Sequence, residues 1–175
     1  VQGANLRRGQ MQGANLLWAQ MQGANLIWAE MQEADLRWSL LTGSLETPSL
    51  LLITNLSAST NKGGALRFVD FSNAILDTRT DWRNVFLDAS VTVPPHMRDR
   101  IGNPCLWNWI EKNPAPLSDT DFFGHWRGWL TLDPAWNDDY WESLVRAEWR
   151  DVPPRAPPAN CTWQTDPVLG IPEPD

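Results

Sequence analysis

The side chains that most often act in catalysis are few in this chain and do not form a known motif. Its two histidines are His96, which follows a Pro-Pro pair, and His125. Asp138, Asp139 and Glu142 cluster, but acidic residues are generally favoured at a helix start such as the one predicted there. No Cys/His spacing suits zinc, and no phosphate loop, nucleophile elbow or dinucleotide fingerprint occurs. We therefore expect no catalytic residue, no metal site and no cofactor, and we predict that the protein is not an enzyme.

Two cysteines, Cys105 and Cys161, provide the remaining chemistry, and their flanking sequences are similar. A disulfide between them would hold the end of the chain to its body and would imply an oxidising, extracytoplasmic compartment. Two free thiols would instead fit a reducing cytoplasm. The sequence leaves both alternatives open, and the localisation depends on which of them holds.

A short repeat dominates the first part of the chain. The sequence Gln-Gly-Ala-Asn-Leu begins at residues 2, 12 and 22, and Gln-Glu-Ala-Asp-Leu begins at residue 32. A large apolar residue consequently recurs every five positions, at Leu6, Met11, Leu16, Met21, Leu26, Met31, Leu36 and Leu41. A helix needs an apolar spacing near 3.6 and a strand needs a spacing of 2. A spacing of five fits a chain that turns one corner per unit and points one large and one small side chain inward.

This pattern resembles the pentapeptide-repeat family over residues 1–44, and more weakly over 64–91. The resemblance implies a mainly β fold, a right-handed quadrilateral β-helix with four units, or twenty residues, in each coil. Successive coils would then stack at the usual spacing of β-strands, roughly 4.8 Å. Stacked coils would place residues that are twenty positions apart directly above one another.

Two segments depart from the repeat. Residues 42–65 lose the pattern, and we interpret them as either a degenerate coil or a loop excursion from the coil. Within 64–91 the five-residue phase would point Asp81 inward, which is costly for a charged group without a partner. A one-residue slip that brings Trp82 and Leu87 inward, through a bulge at a corner, would correct this.

The remainder of the chain differs in composition from the repeats. We predict three parts, a repeat β-helix over 1–93, a Trp-rich helical cap over 94–151 and a Pro-rich extended tail over 152–175. Helices are expected at Asp119–Leu130 and Asn137–Arg150, from their caps and apolar spacing. They should pack on the last coil, because the open end of a repeat tube needs a cover. The side chains expected to be buried there are Trp126, Trp129, Trp141 and Trp149.

Charge is distributed unevenly along the chain, which has a net charge of −7. Residues 1–44 carry three basic and three acidic side chains, whereas residues 92–175 carry seven basic and thirteen acidic ones. No basic footprint for nucleic acid is present, so we predict no nucleic-acid contact. No apolar run approaches the length of a transmembrane segment.

The tryptophans that point outward are the surface residues whose relative positions the repeat predicts most directly. Trp18 and Trp38 are twenty positions apart and should stack on one face of the tube. Arg8 and Trp28 are also twenty apart, on the opposite face, where a guanidinium above an indole is favourable. The 42–65 excursion or the tail could cover these rings, or a partner protein or second copy could do so. The predicted partner-binding residues are Arg8, Trp18, Trp28 and Trp38.

The function predicted from these features is that of a non-enzymatic interaction scaffold or accessory subunit, in a bacterial protein if the resemblance holds. Its partner would be another protein, a larger soluble or membrane-bound assembly, or a second copy of the chain. One alternative is a DNA mimic that binds a type II topoisomerase, which the neutral charge of residues 1–44 disfavours. Another is carbohydrate or cell-envelope binding through the tryptophans.

The first residue, Val1, occupies an inward position of the repeat. A tube that starts there exposes strand edges and an apolar cross-section. We expect either an upstream coil or domain, or a partner protein seated on that end.

Overall fold

The repeat part folds into successive coils of chain that run parallel to one another in the computed structural model. The first coil pairs with the second through parallel bridges at Asn5–Asn25, Gln10–Glu30, Asn15–Asp35 and Gln20–Leu40. All four pairs are twenty residues apart, which is the register that the repeat predicts. The structure describes residues 2–44, 49, 51, 53–134, 136–145, 147–158 and 161.

Each five-residue unit ends in a turn. Gly9 donates its backbone N–H to the carbonyl of Leu6 at 2.9 Å, and Ala19 donates to Leu16 at 3.0 Å. In the first eight units the third turn residue has a φ between 58° and 64°, at Gly3, Arg8, Gly13, Trp18, Gly23, Trp28, Glu33 and Trp38. A positive φ at this position is typical of type II turns and suits glycine. For the other residues it costs roughly 1–2 kcal/mol each.

The residue before each inward leucine helps to form the turn. The side-chain oxygens of Asn5, Asn15 and Asn25 each accept a hydrogen bond from the backbone N–H two residues later, at 3.1–3.3 Å. Asp35 does the same for Arg37. Short polar side chains are favoured in turns for this reason, which explains why Asn or Asp recurs at this position of the sequence.

The inward side chains form the core, but burial is not uniform. Met21, Leu26, Met31, Leu36 and Leu41 are fully buried. From the repeat we predict that each inward Leu or Met is nearly fully buried, and this prediction is wrong for Leu6, Met11 and Leu16, which are only partly buried. These three lie on the first coil, and no other coil among the described residues covers them on that side.

Segment 42–65 has features of both structures that the sequence allowed, a degenerate coil and an excursion from the coil. The register is twenty residues at Gln20–Leu40 but twenty-five at Glu30–Asn55, so one extra five-residue unit lies between Leu40 and Asn55. The coil is kept in this part of the chain, with buried side chains at Leu51, Thr54 and Leu56. The described residues of 42–65 therefore continue the stacked coil, with a register that is longer by one unit.

Three regular strands form a parallel sheet in the order β1 (Leu40–Thr42), β2 (Thr60–Arg67) and β3 (Asp81–Leu87). The predicted slip is confirmed. The register between β2 and β3 is twenty-one residues at Thr60–Asp81 and Leu66–Leu87, with irregular pairing between these points. Leu87 and Trp82 are fully buried.

Three helices follow the repeats, α1 (Pro104–Lys112), α2 (Asp119–Leu130) and α3 (Asp138–Leu144), together with 3-10 turns at Pro95–Met97 and Ala147–Trp149. Helix α2 has the predicted bounds, and the Ser118 side chain accepts the N–H of Asp121 as its N-cap. Helix α3 is shorter than the predicted Asn137–Arg150, because Val145 is extended, with φ −106° and ψ 156°.

The helices lie against a side of the coil that the three strands form, which corrects the prediction that they pack on the last coil alone. Trp126 of α2 donates its indole N–H to the carbonyl of Gly63 in β2 at 3.0 Å. The ring of Phe122 packs on Phe86 of β3, with centroids 5.1 Å apart. Of the tryptophans expected to be buried, Trp126, Trp129 and Trp141 are fully buried, and Trp149 is partly buried.

The physical reason is a change in one column of outward residues. In the other columns, the described residues before the large inward residue are mostly polar, with Ile75 as an exposed exception. In the column of Gln20, the later coils carry Leu40, Ala65 and Phe86 at this position instead. These three side chains are buried. Covering an apolar column is favourable by about 25 cal/mol per Å² of buried apolar surface, so the helices pack there.

The segment after Ala147–Trp149 crosses α2 closely. Arg155 donates its backbone N–H to the carbonyl of Gly124 at 2.8 Å, and a Cβ on Gly128 would overlap the backbone carbonyl of Arg155. Two glycines one helical turn apart therefore leave a groove for the backbone of the crossing segment. We call residues 152–158 the strap.

Replacing Leu26 by Ala should lower the free energy of unfolding by roughly 2–5 kcal/mol, because it leaves a cavity in the core. Leu6→Ala is the matched control, because Leu6 holds the same position one coil earlier but is only partly buried. It should cost about 1 kcal/mol. Urea unfolding of the full chain measures both values, and equal losses would contradict the stacked core.

Gly128→Ala should destabilise the protein, even though Ala normally stabilises a helix interior by about 1 kcal/mol relative to Gly. The new Cβ would push the strap from α2. Gly124→Ala should be better tolerated, because its Cβ would meet the flexible Arg155 Cγ at 2.9 Å and the Pro153 oxygen at 3.1 Å. Thermal unfolding and limited proteolysis of the strap would test this. A stabilised Gly128→Ala protein would show that the groove is not needed.

Candidate functional site

Trp18 and Trp38 stack as the twenty-residue register predicts. Their ring centroids are 5.6 Å apart and the planes are inclined by 17°. Trp136, in the segment between α2 and α3, packs on the other side of Trp38 with centroids 5.4 Å apart. We call these three residues the tryptophan column. Trp136 therefore covers the ring of Trp38, and most of the predicted tail lies outside the described residues.

Gly63 makes room for this column. It occupies the corner that follows Trp38 in the next coil, with a φ of 74°, and a Cβ at this position would overlap the Trp38 ring. Because Trp126 also binds the Gly63 carbonyl, this corner joins the column to α2. Trp38 is thus part of the contact between coil and helices, whereas Trp18 ends the column and is half-buried.

The second predicted pair, Arg8 and Trp28, is also brought together. The guanidinium carbon of Arg8 lies 4.7 Å from the centroid of the Trp28 ring, and that of Arg7 lies 4.6 Å from it. Arg7 was missed by the sequence argument, which considered only residues at the same position of the unit. Arg7 and Arg8 are exposed, and Trp28 is half-buried.

Two exposed isoleucines continue this face on the later coils. The twenty-five-residue register places Ile53 at the corner that follows Trp28, and both have positive φ, at 55° and 58°. Ile75 pairs with Asn55 in the next coil. Ile53 and Ile75 are 44% and 45% exposed and are the exposed large apolar side chains among the described residues. We call Arg7, Arg8, Trp28, Ile53 and Ile75 the Trp28 face.

The comparison with known families agrees with this geometry. The family model of pentapeptide repeats matches residues 2–44, in eight copies. Residues 2–44 are pentapeptide repeats. No curated protein sequence matches the chain significantly.

Ion pairs in and beside the pentapeptide repeats serve mainly to hold elements together. The Arg67 side chain lies between the rings of Phe68 and Phe122, at 5.1 and 5.0 Å from their centroids. It binds Asp119 at the start of α2 and lies 3.9 Å from Asp88. Arg67 and Asp88 are almost fully buried, so this charge cluster ties α2 to the coil.

Elsewhere in the repeats, Asp35 forms a two-pronged pair with Arg37 at the same turn, with its closest contact at 2.6 Å. Burial alone would raise the pKa of Asp35, but the hydrogen bonds and charge of Arg37 outweigh this effect and lower the pKa from its ordinary value of 3.8. The pKa of Arg37 is raised by the same hydrogen bond. Both groups therefore stay charged at neutral pH.

The titratable groups considered for catalysis do not come together. His125 packs against the ring of Trp109, with centroids 5.4 Å apart. Burial, followed by the nearby charge of Arg155, lowers the pKa of His125, so the ring is neutral at pH 7. His96 is exposed in the 3-10 turn Pro95–Met97. Within the described residues, no three His, Cys, Asp or Glu side chains are grouped so as to hold a metal ion.

A cleft of about 700 Å³ lies between the glycine corners of the repeats and the helices. Gly3 and Gly23 are on one wall and Trp149 is on the other. Its charged lining residues, Arg67 and Asp119, bind each other. The cleft therefore offers a paired guanidinium and carboxylate rather than a nucleophile with its base.

The structure joins Cys105 of α1 to Cys161 by a disulfide, with Cα atoms 5.4 Å apart. This bond holds the far end of the strap next to α1. None of the helices in the described part of the chain is both long and apolar enough to span a bilayer.

Asp35→Asn should lower the free energy of unfolding at neutral pH by roughly 0.5 kcal/mol, because the pair is partly exposed. An Asn here can keep the turn hydrogen bond, as Asn15 does one coil earlier. Since the folded pKa is lowered, the contribution of the charge is present above pH 3.8 and is lost as pH falls through the folded pKa. Urea unfolding as a function of pH should show the two proteins converging in acid. A constant difference at all pH values would contradict the assignment.

Proposed function

We propose that the pentapeptide repeats form a right-handed quadrilateral β-helix that acts as a non-enzymatic interaction scaffold for another protein. Within residues 2–40, four bridges between successive twenty-residue stretches and one left-handed corner in every five residues support the four-sided shape. A solenoid of this kind presents regular faces, which repeat proteins generally use for binding. The partner would be a separate protein or a larger assembly in which this chain is an accessory subunit.

The observation that carries this proposal is the unequal cover of the coil. The helices bury the apolar column of Leu40, Ala65 and Phe86, whereas Ile53 and Ile75 stay exposed on the Trp28 face. Exposed apolar side chains that are grouped on one face are typical of an interaction site. Tryptophan and arginine, which this face also carries, are the residues most enriched at the energetic centres of interfaces.

The four residues predicted to bind a partner therefore have different places in the proposal. Arg8 and Trp28 lie on the open face and are its centre. Trp18 is half-buried at the end of the tryptophan column and would lie at the margin of the proposed binding site. Trp38 is packed against Trp136, so its role would be to support the column.

The alternative functions have less support. A DNA mimic needs a negative strip, but the Trp28 face carries two exposed arginines on the first coil. Carbohydrate binding needs exposed rings, but Trp126, Trp129 and Trp141 are fully buried. We propose no catalytic role, because the charged groups that the fold brings together form structural pairs such as Arg67 with Asp119.

A photo-crosslinking residue placed at position 53 in the full-length protein, in its native cells, would test the scaffold. Irradiation should give one discrete adduct with another protein, because the Ile53 side chain projects from the open face. The same residue at Thr78, which is exposed at a different corner, is the matched control and should give none. If neither position gives an adduct, or both give the same mixture, the proposed function is wrong.

A further inference from the structure

Arg7 and Arg8 differ from the other arginines of the repeats in having no acidic partner. Arg37, Arg67, Arg79 and Arg83 each lie within 4.0 Å of a carboxylate, and so do Arg98, Arg100, Arg127 and Arg155 beyond the repeats. In the part of the chain that the structure describes, neither Arg7 nor Arg8 has such a contact. Two neighbouring cations are thus left for an anion from outside the described chain.

The position of the two guanidinium groups favours an anion. Both lie within 4.7 Å of the centre of the same Trp28 ring, which restricts their movement and keeps the two guanidinium carbons no more than about 9 Å apart. Because like charges repel, an anion between or above them is favourable. The planar guanidinium binds carboxylates through two parallel hydrogen bonds, and groups that are already ordered lose less entropy on binding.

The surroundings of the pair indicate what the rest of the ligand must be. Ile53 follows Trp28 at the next coil, and Ile75 lies one coil further in the neighbouring column, which also holds Glu30 and Asn55. At roughly 4.8 Å per coil, the apolar side chains continue the face over about 10 Å from Trp28. A small anion would leave these isoleucines uncovered, whereas a chain with both acidic and apolar side chains would cover them.

We propose that the Trp28 face binds an acidic segment of a partner protein, with carboxylates on Arg7 and Arg8 and apolar side chains over Trp28, Ile53 and Ile75. This inference rests on the proposed scaffold function and adds the chemistry of the partner. A nucleic acid or an anionic membrane also carries anions. However, two arginines on a chain with a net charge of −7 are too few to hold an extended anionic surface, and the isoleucines would gain nothing from the phosphates of a nucleic acid.

The test uses the full chain and a synthetic peptide of alternating glutamate and leucine, with binding measured by calorimetry. Arg7→Gln/Arg8→Gln should weaken binding roughly tenfold or more, as expected for interface arginines. Arg37→Gln/Arg79→Gln is the matched control, because it removes the same charge from other corners, and it should bind like the unmodified protein. Higher salt should weaken binding to the unmodified protein.

Other outcomes would overturn the inference. Equal losses in both double variants would mean that only net charge matters, and no binding to the unmodified protein would exclude an acidic segment. Stronger binding to single-stranded DNA or to phosphatidylserine vesicles would assign the face to another class of partner. Self-association that is lost in Arg7→Gln/Arg8→Gln would replace the partner by a second copy.

Two measurements keep these results separate from misfolding and from failure of the scaffold. An Arg7→Glu/Arg8→Glu protein that is folded by near-UV circular dichroism should bind a lysine–leucine peptide instead, and absence of this reversal would count against the inference. If the adduct at position 53 forms equally in Arg7→Gln/Arg8→Gln, the scaffold stands and the acidic partner is wrong. Absence of any adduct at position 53 means that the scaffold itself is wrong.

Discussion

A left-handed residue at each corner from Gly3 to Trp38 is the constraint on which the rest of the structure depends. It closes each five-residue unit and brings the backbone back to the same register after four units. The register in turn places Leu26 inside and aligns Trp18 with Trp38 and Arg8 with Trp28. Non-glycine residues at these corners are strained, and stacking between the large side chains offsets part of that cost.

The same constraint explains why the two irregularities of the coil have different consequences. The insertion between Leu40 and Asn55 is one complete unit, so every column continues across it, with Ile53 after Trp28 and Gly63 after Trp38. The shift between β2 and β3 is a single residue and cannot preserve the alternation of inward and outward side chains. Irregular pairing in the middle of these strands absorbs it.

Local patterns in the sequence were sufficient to predict the register, the bounds of α2 and the slip at Trp82. Features that depend on distant contacts were missed. The helices pack where they do because Leu40, Ala65 and Phe86 are apolar. Most residues at the same position in the other columns are polar, and this contrast in the sequence could have predicted the location. The contact of Trp136 with Trp38 and the early end of α3 have no local signature. For the Trp28 face, the sequence predicted the contact of Arg8 with Trp28. The exposure of Ile53 was missed because it depends on the inserted unit, and the contribution of Arg7 was missed because it depends on the geometry of the turn.

The strap and its disulfide also determine how the molecule bears mechanical load. Cys161 is bonded to Cys105, so a pull on the chain beyond residue 161 passes through the sulfur atoms to α1, immediately after the coil. The intervening residues, which include α2 and α3, form a closed loop outside this path and carry no tension. Under oxidising conditions, a force between the two ends would therefore act on the stacked coils and leave the helices that brace their side in place.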